Sequence, residues 1–179
     1  TGHLQWCEPT AKQSKHMYFL LGTNDGDLRY LDDRQMGLIY YLRPDQLGQI
    51  TRLQEQGPDA MDGGLSFDEF KAQIKPYTGE IKGVLARGKF LSGIGNAYVD
   101  EILWAARVSP FRKRGTLSDD ELRAVYDAVP QVLREATEVV RKRMPPNIHV
   151  KVRDFLQVHR KGGEPCPRCG TTVSEITPN

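Results

Sequence analysis

Apolar residues change their period once along this chain, near Pro44, and that change confines the fold to strands first and helices afterwards. Ahead of it, Leu4–Trp6, Met17–Leu21, Leu28–Leu31 and Gly37–Leu42 are short runs rich in aromatic and branched side chains, the composition of a half-buried pleated surface. Thr23-Asn24-Asp25-Gly26-Asp27 lies between the second and third runs and supplies residues that tolerate the positive φ angles of a tight hairpin. The expectation is an antiparallel sheet with an unpaired edge, the remnant of a larger one.

After Pro44 the texture is helical. Short helices are expected around Gln46–Leu53 and Phe67–Ile74, the second opened by a capping box from Ser66 to Glu69. Gly57-Pro58 and Gly63-Gly64 read as loops. A helix from Ile81 toward Arg87 gives way to Gly88–Asn96, after which Ala97–Val108 resumes the helical period until Pro110. Ser118 and Glu121 form a second capping box, with Leu117 and Leu122 placed as a hydrophobic staple, and open a helix reaching Arg143. Pro130 inside it predicts a kink, and Pro145-Pro146 a stop.

With 39% hydrophobic and 27% charged residues, the 179-residue chain suits one ordinary domain or two small ones. No apolar run approaches the ~20 residues of a membrane helix, and no signal segment opens the chain, so a cytoplasmic, membrane-free protein is expected. The net charge of +2 excludes nothing, but the cations gather after position 80: Arg107, Arg112, Lys113 and Arg114, then Arg141, Lys142 and Arg143, then Lys151, Arg153, Arg160, Lys161 and Arg168. Such clusters suit a nucleic-acid backbone, and equally suit solvated helix C-termini. Three cysteines, two of them the close pair Cys166 and Cys169, do not make a disulfide framework.

The sharpest local feature is Ser92-Gly93-Ile94-Gly95-Asn96 running into a helix. Gly93 and Gly95 let successive N–H groups face one concave spot, where the positive end of the helix favours an anion; Asn96 can cap the helix or donate to a phosphate oxygen. A tight turn between packed helices would use the same residues.

Ile81-Lys82-Gly83-Val84-Leu85, followed by Leu91-Ser92-Gly93-Ile94-Gly95-Asn96-Ala97-Tyr98-Val99-Asp100-Glu101-Ile102-Leu103, resembles the helix-two-turn-helix of the formamidopyrimidine-DNA glycosylase and endonuclease VIII family. Gly162–Gly170 resembles the opening of that family's zinc finger, and Asp32-Asp33-Arg34-Gln35-Met36-Gly37 its intercalation loop. The resemblance implies an α+β chain: residues 1–43 as the last strands of an antiparallel β-sandwich domain, 44–78 as linker helices and loops, 79–160 as the helix-two-turn-helix domain, and 161–179 as half a zinc finger.

It also implies function: monomeric binding of double-stranded DNA with a damaged base or an abasic site, base removal, and strand nicking through a Schiff base. Extruding a base costs a few kcal/mol, so side chains must fill the gap. Arg34 and Met36 match the family's inserted positions, with Met36 where phenylalanine is frequent. His16 matches a position near the lesion, though an ordinary strand-end histidine would look the same. Lys82 and Asn96 match positions that hold phosphates. Cys166 and Cys169 are two of the four ligands of one zinc ion. The family's nucleophile is an N-terminal proline amine assisted by the neighbouring glutamate; Thr1-Gly2-His3-Leu4 aligns instead with an internal strand. The chain is therefore expected to be a portion of such an enzyme, catalytically inactive by itself. Whether the lesion is an oxidised purine or pyrimidine is left open. The alternative is a non-catalytic helix-two-turn-helix module that grips nucleic acid.

Overall fold

The computed structural model describes residues 2–62, 64–145 and 150–176. Thr1, Gly63 of the expected Gly63-Gly64 loop, Pro146 of the expected helix stop, and the last three residues of the finger segment lie outside the described residues. The chain divides into two compact units, Thr1–Gln46 with Val139–Asp154, and Leu47–Glu138 with Phe155–Asn179.

The first unit holds a three-stranded antiparallel sheet of β1 (His3–Cys7), β2 (Met17–Thr23) and β3 (Gly26–Leu31), in the order β1-β3-β2. Central β3 is mostly buried, whereas β2 exposes Tyr18, Phe19, Leu20 and Leu21. The hairpin turn is built differently from the sequence expectation. Among the described residues the non-glycine positions with positive φ are Gln35, Arg107 and Arg160, so neither Asn24 nor Asp25 adopts it. Thr23 does the shaping instead: its hydroxyl accepts from the Asp25 N–H at 3.3 Å and donates to the Gly26 carbonyl at 2.7 Å. Gly26 itself has φ +150, and a Cβ there would press within 2.9 Å of the Trp6 ring.

The expected strand over Gly37–Leu42 does not form; those residues are irregular and exposed except the half-buried Leu42. Both hydrogen-bonding sides of β3 are already taken by β1 and β2, so a further strand would need another partner.

The second unit is helical: α1 (Thr51–Gln54), α2 (Phe67–Ile74), α3 (Ile81–Leu85), α4 (Asn96–Ala105) and most of α5 (Asp119–Arg143). Its core packs Ile74, Ile81, Val84, Val99, Ile102 and Val125, each fully buried, around edge-to-face contacts of Phe70 with Phe90 at 5.0 Å and Tyr126 at 5.3 Å. Both capping boxes are present. Ser66 and Glu69 exchange their bonds at the head of α2, and at α5 the Ser118 N–H donates to Glu121 at 2.8 Å while Ser118 Oγ accepts from the Glu121 N–H at 3.2 Å. Accepting from the serine N–H holds each glutamate below the usual carboxylate range. α5 continues through Pro130 to Arg143 as one helix. Ser118→Ala is expected to lower stability by about 1 kcal/mol in urea unfolding, and an unchanged midpoint would deny the cap its role.

α4 ends earlier than expected, at Ala105 rather than Val108. Arg107 turns left-handed at φ +59, its N–H bonding to the Trp104 carbonyl at 3.1 Å and the Val108 N–H to the Leu103 carbonyl at 3.0 Å. That pair of bonds closes the helix before Pro110 is reached.

Candidate nucleic-acid interface

α3 and α4 are joined by a loop in which Gly88 (φ +69) and Gly93 (φ +89) take the left-handed turns. Gly95, with φ −100, is the N-cap of α4, and Asn96 is its first helical residue. Of the two roles open to Asn96 in the sequence, capping is not taken: no side chain caps this helix. The free N–H groups of its first turn thus keep their positive field for an outside acceptor. A Cβ added at Gly95 would meet nothing within 4 Å, so the approach to that helix end is open.

Lys82 of α3 and Asn96 of α4 line one groove of about 940 Å³, together with Asp100, His159, Arg160 and Arg168. Asp100 organises it. One carboxylate oxygen lies 2.7 Å from Lys82 Nζ, and the other 2.8 Å from His159 Nδ1. Lys82 remains 40% exposed, so its ammonium can still reach a phosphate.

The neighbouring Glu101 is buried, and sequence alone gave no sign of its role. Its carboxylate accepts the backbone N–H groups of Gln157 at 2.8 Å, Val158 at 2.9 Å and His159 at 2.9 Å. These three amides converge on one charge and fasten the segment leading to Cys166 onto α4.

Beyond it the chain folds into a knuckle. Gly163 N–H donates to the Val173 carbonyl and Val173 N–H to the Glu164 carbonyl, both at 2.9 Å; Cys166 N–H donates to the Thr171 carbonyl at 2.8 Å. Gly170, at φ +74, closes the turn with a 2.8 Å bond to the Cys166 carbonyl. The Cys166 thiol is lowered to about 7, first by the Trp104 indole and then by the backbone N–H groups of Arg168 and Cys169, all donors that favour a thiolate. The indole Nε1 is buried and makes no hydrogen bond of ordinary length. Arg168 lies over the Trp104 ring at 4.2 Å and donates to its carbonyl at 2.7 Å. Among the described residues no three His, Cys, Asp or Glu side chains gather as a metal site. The two thiols of the knuckle have the donor chemistry that suits a thiophilic ion.

The remaining candidates lie on the sheet unit. Arg34 and Met36 occupy the loop after β3, Met36 being 64% exposed. The loop is shaped by buried Asp32, whose carboxylate accepts the N–H groups of Arg34 at 3.2 Å, Met36 at 3.0 Å and Gly37 at 2.7 Å. A Cβ at Gly37 would strike the Tyr30 hydroxyl, so the close approach requires glycine. Burial, and then the Asp32 charge and hydrogen bond, raise the Tyr30 phenol. Half-buried His16 precedes β2 and accepts the Asp32 N–H at its carbonyl, 3.0 Å away, which places it at the root of the same loop.

Residues 56–144 match the family described as the formamidopyrimidine-DNA glycosylase H2TH domain. The chain is 30% identical over 181 residues to the formamidopyrimidine-DNA glycosylase of Pelotomaculum thermopropionicum, covering 98% of this chain and 66% of that one. It is 40% identical over 121 residues to an uncharacterized formamidopyrimidine-DNA glycosylase-like protein of Mycobacterium tuberculosis, covering 68% of this chain and 75% of the relative. Its fold superposes with a TM-score of 0.84, at 27% identity and over 98% of this chain and 66% of the other, on the Lactococcus lactis Fpg in its complex with an abasic-site-containing DNA. The chain therefore belongs to the formamidopyrimidine-DNA glycosylase family.

Proposed function

We propose that these residues grip duplex DNA carrying a damaged base or an abasic site, as the DNA-holding part of a base-excision-repair glycosylase that also nicks the strand as a lyase. The observation that carries this reading is the uncapped N-terminus of α4, opening into the same groove as Lys82 and Asn96. Backbone amides, an amide side chain and an ammonium there offer a phosphate three kinds of donor without reading any base. That indifference suits a protein searching all sequences for rare lesions. Relatives named as formamidopyrimidine-DNA glycosylases, and the L. lactis Fpg complex with abasic-site DNA, support the same partner.

On the sheet unit, Arg34 and Met36 would enter the stack where a nucleotide leaves it, the guanidinium meeting the orphaned base and the thioether replacing lost stacking, with His16 beside them. The covalent step, in which an amine attacks the sugar and forms a Schiff base, is assigned to no residue named here. Cys166 and Cys169 would hold zinc together with two further ligands, and the ion would lock the knuckle's fold. No helix among the described residues is long and apolar enough to cross a membrane; independently of that, the protein is proposed to act as a monomer in the cytoplasm.

Fluorescence anisotropy with intact and abasic-analogue duplexes tests the proposal. Lys82→Ala is expected to weaken binding to both duplexes alike and to reduce the slope of log affinity against log salt by about 0.9. Asn96→Ala should weaken binding with little change in that slope. Equal binding by both variants and the unaltered chain would sink the reading of the groove.

A further inference from the structure

We propose that Arg107 and Arg160 form a second phosphate-gripping pair in this groove, holding backbone phosphates other than those met by Lys82 and Asn96. The inference rests on the reading of the groove as a DNA-backbone site. What points to it is backbone conformation. Among the described residues three that are not glycine have positive φ: Gln35 at +55, Arg107 at +59 and Arg160 at +60. Left-handed backbone is disfavoured for L side chains by the clash of Cβ with the carbonyl oxygen, and glycine takes it freely. Arg107 stands where helix ends most often place glycine, after the C-cap of α4, with both closing bonds made. Arg160 lies in the turn closed by the Lys161 N–H and the Val158 carbonyl at 3.1 Å. A residue kept in such a conformation where glycine would relieve it points to a use for its side chain.

Both arginines line the groove that holds Lys82 and Asn96. Both side chains are exposed, and neither makes an ion pair or hydrogen bond among the described residues. Other cations nearby are already engaged: Arg112 with Glu121 at 2.9 Å, Lys161 with Glu164 at 3.3 Å, and Arg168 with Trp104. The groove's carboxylates are Glu80, Asp100 and Glu175, and both oxygens of Asp100 are held by Lys82 and His159. Two guanidinium groups therefore face an open groove with their donors unspent. The planar fork of a guanidinium fits two phosphate oxygens at once, and its charge adds affinity at any base sequence.

The test compares the unaltered chain with an Arg107→Gly/Arg160→Gly double variant, an Arg107→Lys/Arg160→Lys double variant and Lys82→Ala. Each is titrated with a short abasic-analogue duplex across a salt series, and each is melted without DNA. The glycine pair should reduce the salt slope by about 1.8, two phosphate contacts at about 0.9 each, with an unfolding midpoint equal to or above that of the unaltered chain. The lysine pair keeps charge and should keep most of the slope. An unchanged slope in the glycine pair, with Lys82→Ala still losing its share, would overturn the proposal and leave the groove reading standing. A lost slope with a lowered midpoint would assign the arginines to packing and overturn it too. If neither variant changes binding, the groove reading falls and the arginine pair with it.

Discussion

Replacing Glu101 with alanine is expected to lower the unfolding free energy by about 3 kcal/mol, the cost of leaving converging buried amides without their charged acceptor. Glu101 is 5% exposed, and its three partners at 2.8–2.9 Å come from consecutive residues more than fifty positions away. Glutamine keeps a carbonyl oxygen and should recover part of the loss. The loss should also reach the proposed DNA-binding groove: His159, which the clamp holds in place, bonds to Asp100, and Asp100 bonds to Lys82. Urea unfolding and anisotropy on the same variants should therefore fall together, with binding by Glu101→Gln lying between that of the alanine variant and the unaltered chain. A loss below about 1 kcal/mol would mean that water reaches those amides and the clamp is not what joins knuckle to helix.

The second large effect is expected in the sheet. Arg29 is buried to 1% exposure in the central strand and bonds Asp27 at 2.9 Å. Its guanidinium also donates to the carbonyls of Ala11 at 3.1 Å and Lys12 at 3.3 Å, fixing the segment between β1 and β2. Asp27→Ala strands a buried cation and is expected to cost about 3–5 kcal/mol. A three-stranded sheet has little reserve against such a loss. Amide exchange should rise throughout β3, and the preference for the abasic duplex proposed for the Arg34–Met36 loop that leaves this strand should be lost with it. Exchange confined to residues 10–12 would show that the pair secures only the loop. Replacing both residues with apolar ones of similar volume should recover most of the stability, because what destabilises is the unpaired charge rather than the missing bond.

What could be read from sequence and what could not divide by the range of the interaction. Both capping boxes lie within one helical turn, so Ser66 with Glu69 and Ser118 with Glu121 announce themselves. β1, β2 and β3 fall where the apolar runs put them. The run at Gly37–Leu42 has the same composition and forms no strand, because a strand is made by its neighbour and composition does not supply one. Asn96 fell one residue past the cap, since a glycine takes the extended N-cap conformation without signalling it. Lys82, Asn96 and the cysteine pair were visible as motifs, yet the groups that position them were not. Glu101 reads as an ordinary solvated acid beside Asp100, and Asp32 as one of two aspartates before a loop. Each proves to be a buried carboxylate collecting three backbone amides, and no spacing rule connects Glu101 with residues 157–159.

Because Glu101 grasps main-chain amides, its hold on the knuckle is indifferent to which side chains stand at Gln157 and Val158, whereas His159 adds a side-chain tie to Asp100. Every residue except proline presents the same N–H there. Those two positions can therefore vary while the joint beneath them stays intact, leaving the face of the segment free to change separately from its attachment.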